Sequence, residues 1–215
     1  MGVIKALDGN AAIAHGVMRS KVQLVAAYPI TPQTPIVETI SSLIDKKEYD
    51  ATYITVESEH SALSAVIGAA STGVRTFTAS ASHGLALMHE VTGVASASRL
   101  PVVMAVVSRA IPGPMCLWCD HSDIMTQRDQ GWIQLFAQSP QEALDMTMIA
   151  YRTSEDARVL IPTMVDIDGF FCSHLTEPVN VPTVEEAEQF IQEFKPVNAW
   201  LDTDRPYAID NLTSP

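Results

Sequence analysis

The sequence predicts a doubly wound α/β fold, in which a mostly parallel sheet carries helices on both faces. Apolar runs of strand length alternate along the chain with segments of helical periodicity, which is the pattern of βαβ units. One of these runs, residues 102–107, is apolar without interruption, as expected of a strand buried on both faces. Another, residues 22–27, leads directly into a segment with three prolines in eight residues, from Tyr28 to Pro35.

Length and composition limit the class of protein. A chain of 215 residues with 47% hydrophobic and 18% charged residues can bury the core of one α/β domain. A formal net charge of −12 argues against a nucleic-acid or anionic-membrane surface. The apolar runs are too short to span a bilayer, and the amino terminus lacks the long apolar stretch of a signal peptide. Three cysteines do not make a disulfide framework, so we expect a cytoplasmic protein.

The first half of the chain divides into alternating helices and strands. Asp8 or Asn10 caps a first helix over residues 10–20. The elements that follow are a strand at 22–27, a helix at 35–45, a strand at 52–56, a helix at 59–71, a strand at 75–78, a helix at 84–98 and a strand at 102–107.

Capping signals mark two helices in the second half. Ser139, Pro140 and Glu142 begin a helix that runs to about residue 152, and a strand is predicted over 159–165. Thr183 and Glu186 repeat the capping box and begin a last, strongly acidic helix that runs to about residue 194. We therefore expect an α/β domain over residues 1–180, followed over 181–215 by this helix and a proline-containing linker or wrapping arm.

The proline-rich segment predicts a ligand site. Each proline fixes φ near about −65° and lacks an N–H, and each residue before a proline is kept out of the helical region. The result is a stiff turn at the carboxyl end of a strand, where ligands bind in open α/β sheets, with the Thr31 hydroxyl held upon it. A structural connection with Pro35 in the first helical turn explains the prolines equally well.

Two further strand ends carry polar residues. Glu57, Glu59 and His60 crowd a junction of strand and helix, and the small apolar residues that follow indicate tight packing there. A carboxylate held at that junction would have few water partners and could bond a ring nitrogen. Arg109 ends the buried strand 102–107, where arginine forms either an interface ion pair or an anion clamp.

Other chemistries lack their motifs. Cys116 and Cys119 form a lone C-x-x-C with Cys172 far away, and a zinc or iron–sulfur site normally needs four such ligands. We read these thiols as structural, with a redox or metal role as the alternative. Neither a nucleophile elbow nor a Walker or dinucleotide-binding glycine loop is present, so hydrolase chemistry and phosphate binding by this chain alone are disfavoured.

Seven segments occur in a recognisable order. They are Y-P-I-T-P-Q-T-P, E-S-E-H-S-A, T-F-T-A-S-A-S-H-G-L-A-L-M-H-E, R-L-P-V-V-M-A-V-V-S-R, D-H-S-D, R-D-Q-G-W-I-Q and Q-E-A-L-D. Together they resemble the N-terminal domain of the α subunit of 2-oxoacid:ferredoxin oxidoreductases, of which pyruvate:ferredoxin oxidoreductase is the best known. The resemblance covers roughly residues 5–180. It implies a thiamine diphosphate-binding fold, of which this chain is the pyrimidine domain.

The resemblance also implies an activity and a cofactor site. Enzymes of this family decarboxylate a 2-oxoacid on thiamine diphosphate and form an acyl-CoA, while electrons pass through iron–sulfur clusters to ferredoxin. Glu59 would bond the pyrimidine nitrogen and favour the imino tautomer, which removes the thiazolium C2 proton. Tyr28, Pro29 and Ile30 would line the cofactor.

The same resemblance implies how the substrate is held. Thr31 matches the family position that meets the substrate carboxylate, and Arg109 matches the position that clamps it by charge. The loop after Arg109 would close over the substrate. With one carboxylate clamp evident, pyruvate is the favoured substrate. An aromatic or branched 2-oxoacid is the alternative, since the segment from Met115 to Cys119 is bulky and apolar and contains Trp118.

Two departures from the family pattern concern partners. The G-D-G…N motif that holds the diphosphate through Mg²⁺ is not in this chain, so we expect it on a β subunit that also carries an iron–sulfur cluster. Further subunits would carry more clusters. Family α subunits are longer than 215 residues, which suggests a split subunit or a fragment. A non-catalytic regulatory or assembly subunit of the same fold is the alternative function.

Overall fold

The computed structural model describes residues 2–197, 201 and 203–206. Within them the strands, in chain order, are β1 Val3–Leu7, β2 Leu24–Ala26, β3 Thr52–Ile54, β4 Thr76–Ser80, β5 Val103–Ser108, β6 Ile133–Ala137, β7 Thr163–Asp168 and β8 Glu177–Val181. The helices are α1 Gly9–Arg19, α2 Thr34–Asp45, α3 Glu59–Ala70, α4 Ser82–Ala97, α5 Ser122–Met125, α6 Pro140–Ser154, α7 Phe171–His174 and α8 Val184–Ile191.

The main sheet is parallel throughout. Its strand order is β3-β2-β4-β5-β7-β6, and every neighbouring pair runs in the same direction. Beside it, β1 and β8 form an antiparallel pair in which Val3 lies opposite Val181. The predicted α/β class with a mostly parallel sheet is therefore confirmed.

Helices cover both faces of the sheet. One core contains buried side chains of α1, α2, α6 and α8, and it uses Val103 and Ala105 of β5. The other contains side chains of α3 and α4 and uses Met104 and Val106 of the same strand. Because side chains alternate across a strand, the two cores lie on opposite faces.

The chain changes face between two neighbouring strands. After β2 it enters α2 on the first face, and after β4 it enters α4 on the other. Connections that part in this way leave a crevice at the carboxyl ends of the strands, which is the usual ligand site of open α/β sheets.

Capping follows the sequence pattern closely. The Asp8 side chain accepts from the Ala11 N–H at the start of α1, which decides between Asp8 and Asn10. Ser139 caps α6 by accepting from the Glu142 N–H. Thr183 and Glu186 form the predicted box on α8.

The strand predicted at 159–165 is wrong in position. β7 begins at Thr163, because Leu160 has a left-handed φ of 44° and Pro162 has no N–H to give to a neighbouring strand. Three strands, β1, β6 and β8, were not predicted. β6 is an edge strand with mostly half-buried residues, so it lacks a clear apolar run.

The last predicted helix ends earlier than expected. α8 stops at Ile191, and its Ala187 and Ile191 are buried in the same core as α1 and α6. The division at residue 180 stays a prediction, and much of the arm predicted over 195–215 lies outside the described residues. Among the helices of the described part, none is long and apolar enough to cross a bilayer.

An ion pair ties the amino-terminal edge of the sheet together. Arg75 Nε and Nη2 donate to the two carboxylate oxygens of Glu155 at 2.6 and 2.8 Å. The same guanidinium donates to the carbonyl oxygens of Ser20 and Gln192, and it lies over the Phe194 ring. Burial raises the pKa of Glu155, and Arg75 opposes that rise. A buried pair of this kind is costly to break, since the remaining charge has no partner.

We expect Arg75→Ala to lower the free energy of unfolding by about 3–5 kcal/mol, because it leaves the Glu155 carboxylate buried without its cation. Lys21→Ala is the matched control. The pair between Lys21 and Glu188 is exposed, so its loss should cost less than about 1 kcal/mol. Urea unfolding of the full chain measures both values, and equal losses would contradict this account of the sheet edge.

Candidate functional site

Polar side chains from four strands meet at the carboxyl edge of the main sheet. The segment from Tyr28 to Thr31 follows β2, Glu59 follows β3, and Arg109 follows β5. Ser80 ends β4 between them. This geometry agrees with the expectation that the predicted site residues lie at one edge of the sheet.

Glu59 begins α3 and is buried, whereas Glu57 at the same junction is exposed. The helix is capped by the Ser58 side chain, which accepts from the Ser61 N–H, so Glu59 is not used as the cap. Among the described residues, the Glu59 carboxylate has no hydrogen-bond partner. A buried acceptor without a partner on its own chain is available to a ligand.

Gly84 allows Glu59 and Ser80 to lie directly against the backbone of α4. A Cβ at this position would lie 2.6 Å from both Glu59 Oε1 and Ser80 Oγ. The Ser80 hydroxyl is itself buried and unpaired within the described part of the chain. A carboxylate and a hydroxyl therefore both pack against Gly84, and any side chain at residue 84 would collide with them.

The proline segment after β2 is fixed from two sides. Asn10 of α1 donates to the Pro32 carbonyl at 3.1 Å, and Gln33 Oε1 accepts from the Ile30 N–H at 3.2 Å. Tyr28, Pro29 and Thr31 are exposed, and Ile30 is half-buried. Thr31 thus stands on a held turn, with its hydroxyl unpaired among the described residues.

Arg109 connects this turn to α4. Its Nη1 donates to the Thr31 carbonyl oxygen at 2.6 Å, and its Nη2 lies 3.4 Å from His83 Nδ1. The guanidinium is buried, and its Nε has no partner in the described residues. The structure therefore brings Arg109 and Thr31 together, through the backbone of Thr31 and not through its hydroxyl.

Asp123 holds the surrounding backbone in place. One oxygen, Oδ2, accepts from the N–H groups of Ser82 and Arg109 at 2.7 and 2.9 Å. The other, Oδ1, accepts from the Ile124 N–H and from the Ser108 hydroxyl. Ser82 has a left-handed φ of 48°, and such strain persists only where the neighbours fix it.

Ser108 also contacts a second acid. Its Oγ lies 2.5 Å from Asp166 Oδ1 and 2.9 Å from Asp123 Oδ1. A hydroxyl has one hydrogen and cannot donate to both carboxyl groups, so a proton on Asp166 completes the second bond. Consistently, burial raises the pKa of Asp166 to about 7, with a further rise from Asp123.

The loop after Arg109 covers residues 111–121. Its base is closed by a hydrogen bond from the Ala110 N–H to the Trp118 carbonyl, and the Trp118 ring packs against Phe170 at 5.6 Å. Cys116 and Cys119 are half-buried free thiols, and Cys172 is buried against α1 and β7. Burial raises the pKa of the Cys119 thiol to about 12, and nearby Asp168 adds to that rise.

Sequence reasoning missed the residues that support the site. Asp123, Ser108 and Asp166 each lie in segments whose contacts join distant parts of the chain. Asp166 had a usable signal, since it is an acid inside the otherwise apolar strand β7. Gly84 had none beyond its membership in a long small-residue helix.

Comparison with known families gives a match over most of the chain. The family model described as pyruvate flavodoxin/ferredoxin oxidoreductase, thiamine diphosphate-binding, matches residues 15–215. The pyruvate synthase subunit PorA of Methanocaldococcus jannaschii is 49% identical over 94% of this chain and 52% of its own length. That of Pyrococcus furiosus is 47% identical over 100% of this chain and 54% of its own.

Two further proteins are similar. The ketoisovalerate oxidoreductase subunit VorA of Pyrococcus horikoshii is 46% identical over 98% of this chain and 53% of its own length. A solved 2-oxoglutarate:ferredoxin oxidoreductase from Magnetococcus marinus aligns with a TM-score of 0.76 and 25% identity, over 85% of this chain and 32% of that one. The chain spans about half the length of the curated relatives it matches.

We expect Gly84→Ala to lower the free energy of unfolding by about 1–3 kcal/mol, because its methyl group would overlap Glu59 and Ser80. Gly68→Ala on α3 is the matched control, since a Cβ there meets nothing within 4 Å. That change should stabilise the chain by about 0.5–1 kcal/mol, as alanine does in place of a helical glycine. Thermal unfolding of the two variants measures both effects. A Gly84→Ala variant as stable as wild type would show that Glu59 and Ser80 do not pack tightly against residue 84.

Proposed function

Because the chain belongs to the pyruvate flavodoxin/ferredoxin oxidoreductase thiamine diphosphate-binding family, we propose that it contributes the pyrimidine side of the cofactor site in a 2-oxoacid:ferredoxin oxidoreductase. The reaction is oxidative decarboxylation of a 2-oxoacid to an acyl-CoA and CO₂. Its two electrons pass to ferredoxin through iron–sulfur clusters carried by other subunits.

The observation that carries this proposal is the unpaired carboxylate of Glu59. It is buried at the start of α3, where it packs against Gly84 beside the unpaired Ser80 hydroxyl. An aminopyrimidine edge presents ring nitrogens and an amino group, which are partners for a carboxyl and a hydroxyl. The residues present therefore fit such a ring.

Glu59 has one task in this proposal, which is to hold a proton at a ring nitrogen. When bound, thiamine diphosphate supplies the carbanion chemistry that decarboxylation needs. Glu59 would hold the ring: α3 carries the glutamate, and the close approach at Gly84 fixes the position of its carboxyl group. Burial keeps water from competing for the hydrogen bond between the carboxyl group and the ring.

Arg109 and Thr31 would receive the carboxylate of the 2-oxoacid. The guanidinium uses Nη1 on the Thr31 carbonyl and Nη2 beside His83, so it is held in one orientation, and its Nε has no partner among the described residues and would serve an anion. The exposed Thr31 hydroxyl supplies a neutral donor beside it. A guanidinium with two donors on one carboxylate gives both charge and direction.

The remaining parts of the enzyme would lie on partner chains. A β subunit would hold the diphosphate through Mg²⁺ and carry an iron–sulfur cluster, and further subunits would carry the clusters that lead to ferredoxin. The relatives are named as subunits, which supports a hetero-oligomer. We infer that the site lies between the two chains in the cytoplasm.

Pyruvate is the substrate we favour, in line with the relatives named pyruvate synthase. A branched 2-oxoacid is the second candidate, since a ketoisovalerate oxidoreductase subunit is nearly as similar. The loop over Arg109 also offers the exposed apolar side chains of Leu117 and Trp118. Both candidates are monocarboxylates, which suits a site with one guanidinium.

In the assembled complex, we expect Glu59→Gln to reduce kcat by about 100-fold, which corresponds to roughly 2.7 kcal/mol of transition-state stabilisation. The amide still contacts a ring nitrogen, but it cannot share a proton as the acid does. Steady-state turnover and exchange of the thiazolium C2 proton measure the effect. Glu57→Gln is the matched control, because that neighbouring carboxylate is exposed. Near wild-type exchange in Glu59→Gln, or a larger loss in Glu57→Gln, would reject the assignment and favour a non-catalytic subunit.

Arg109→Lys should lower kcat/KM for pyruvate, and Arg109→Ala should lower it further, because lysine keeps the charge but loses the two-donor geometry. Thr31→Ala removes the hydroxyl and keeps the carbonyl that holds Arg109. Its cost should be about 1–2 kcal/mol, or roughly 5- to 30-fold. Exposed Arg128 supplies the control change to alanine. Kinetics with a panel of 2-oxoacids should rank monocarboxylates above 2-oxoglutarate, and unchanged kcat/KM in Arg109→Ala would refute the substrate site.

A further inference from the structure

Three metal-binding side chains meet where the 111–121 loop touches the end of β7. Cys119 and His121 come from the loop, and Asp168 is the last residue of the strand. One ligand atom from each lies within 4.8 Å of the other two. This cluster is separate from Glu59 and has no part in the proposed reaction.

The ligand atoms are close enough together for one ion to reach them. Cys119 Sγ lies 3.7 Å from His121 Nε2 and 3.8 Å from Nδ1, so the ring must turn for one nitrogen to face an ion shared with the sulfur. Zinc bonds of about 2.3 Å to sulfur and 2.0 Å to nitrogen, at a tetrahedral angle, place those two atoms about 3.5 Å apart. Asp168 Oδ1 is buried and has no hydrogen-bond partner among the described residues, so it is an acceptor without a donor.

The surroundings of the histidine also resemble a metal site. His121 Nδ1 lies 3.0 Å from Asp166 Oδ2, although the two atoms are not aligned for a hydrogen bond. A carboxyl group behind a ligating histidine is the common arrangement, because it fixes the tautomer and the ring.

We propose that Cys119, His121 and Asp168 bind one Zn²⁺ ion that fastens the 111–121 loop to the end of β7. A set of sulfur, nitrogen and carboxylate oxygen suits zinc and disfavours Mg²⁺ and Ca²⁺. The fourth position is open to water. The ion would join the loop that follows Arg109 to the end of β7, the strand beside β5, and so fix the position of the loop.

The test uses the full chain with its thiols reduced. Titration calorimetry should show one Zn²⁺ per chain, and Mg²⁺ should not compete. Co²⁺ should give a sulfur-to-cobalt charge-transfer band and the visible bands of tetrahedral coordination. Cys119→Ser and Asp168→Asn should each weaken Zn²⁺ binding by about tenfold or more. Cys116→Ser, in the same loop but outside the cluster, should bind Zn²⁺ as wild type does.

A second readout reports on the loop itself. Leu117 and Trp118 are exposed, so chymotrypsin should cut the loop in the metal-free chain. Zn²⁺ should slow that cut at least about fivefold in wild type and Cys116→Ser, but not in Asp168→Asn. Circular dichroism checks that each variant is folded. If Cys119→Ser does not fold, the Zn²⁺ affinity of Asp168→Asn and the cobalt spectrum of wild type decide whether the site exists. The absence of stoichiometric Zn²⁺ binding would overturn the proposal. Equal Zn²⁺ affinity in wild type and both ligand variants would indicate an adventitious ion only and would also overturn it. So would chymotrypsin cleavage that Zn²⁺ does not slow.

Discussion

The buried carboxylate of Asp123 is the interaction on which the site depends. It accepts hydrogen bonds from the backbone at the start of α4, at the end of β5 and within α5, and from the Ser108 hydroxyl. A buried carboxylate is tolerated only when its lone pairs are satisfied, so these segments must keep their positions together. Arg109 is oriented because its own N–H is held in this way. The strained start of α4, which carries His83 and Gly84, is held by the same acid.

This arrangement separates two kinds of polar group at the carboxyl edge. Asp123, Ser108 and Asp166 bond one another through the Ser108 hydroxyl and form a support for the strand ends. Glu59 and Arg109 keep donors or acceptors that the described residues do not use. Groups of the first kind maintain geometry, and groups of the second kind remain for ligands. The proposed cofactor and substrate roles fall on the second kind alone.

The sequence predicts the local features well and the long-range ones poorly. The caps of α6 and α8, the buried strand β5 and the polar residues at the strand ends follow from patterns within a few residues. The pairing of β1 with β8 joins segments more than 170 residues apart, and no local periodicity encodes it. Asp123 likewise acquires its role only when β4 and β5 lie side by side. The position of β7 was missed because its apolar run begins in a turn.

The Arg75–Glu155 pair lies at the opposite edge of the sheet from the crevice, and this separation bears on how the protein can change. Arg75 and Glu155 join the end of α6 to the backbone carbonyls of Ser20 and Gln192. Within the described part of the chain, their hydrogen bonds do not reach the residues of the site. Stabilising substitutions commonly reduce activity where they stiffen or relieve a strained site. At the amino-terminal edge that conflict does not arise, so thermal adaptation can proceed there while the chemistry stays the same.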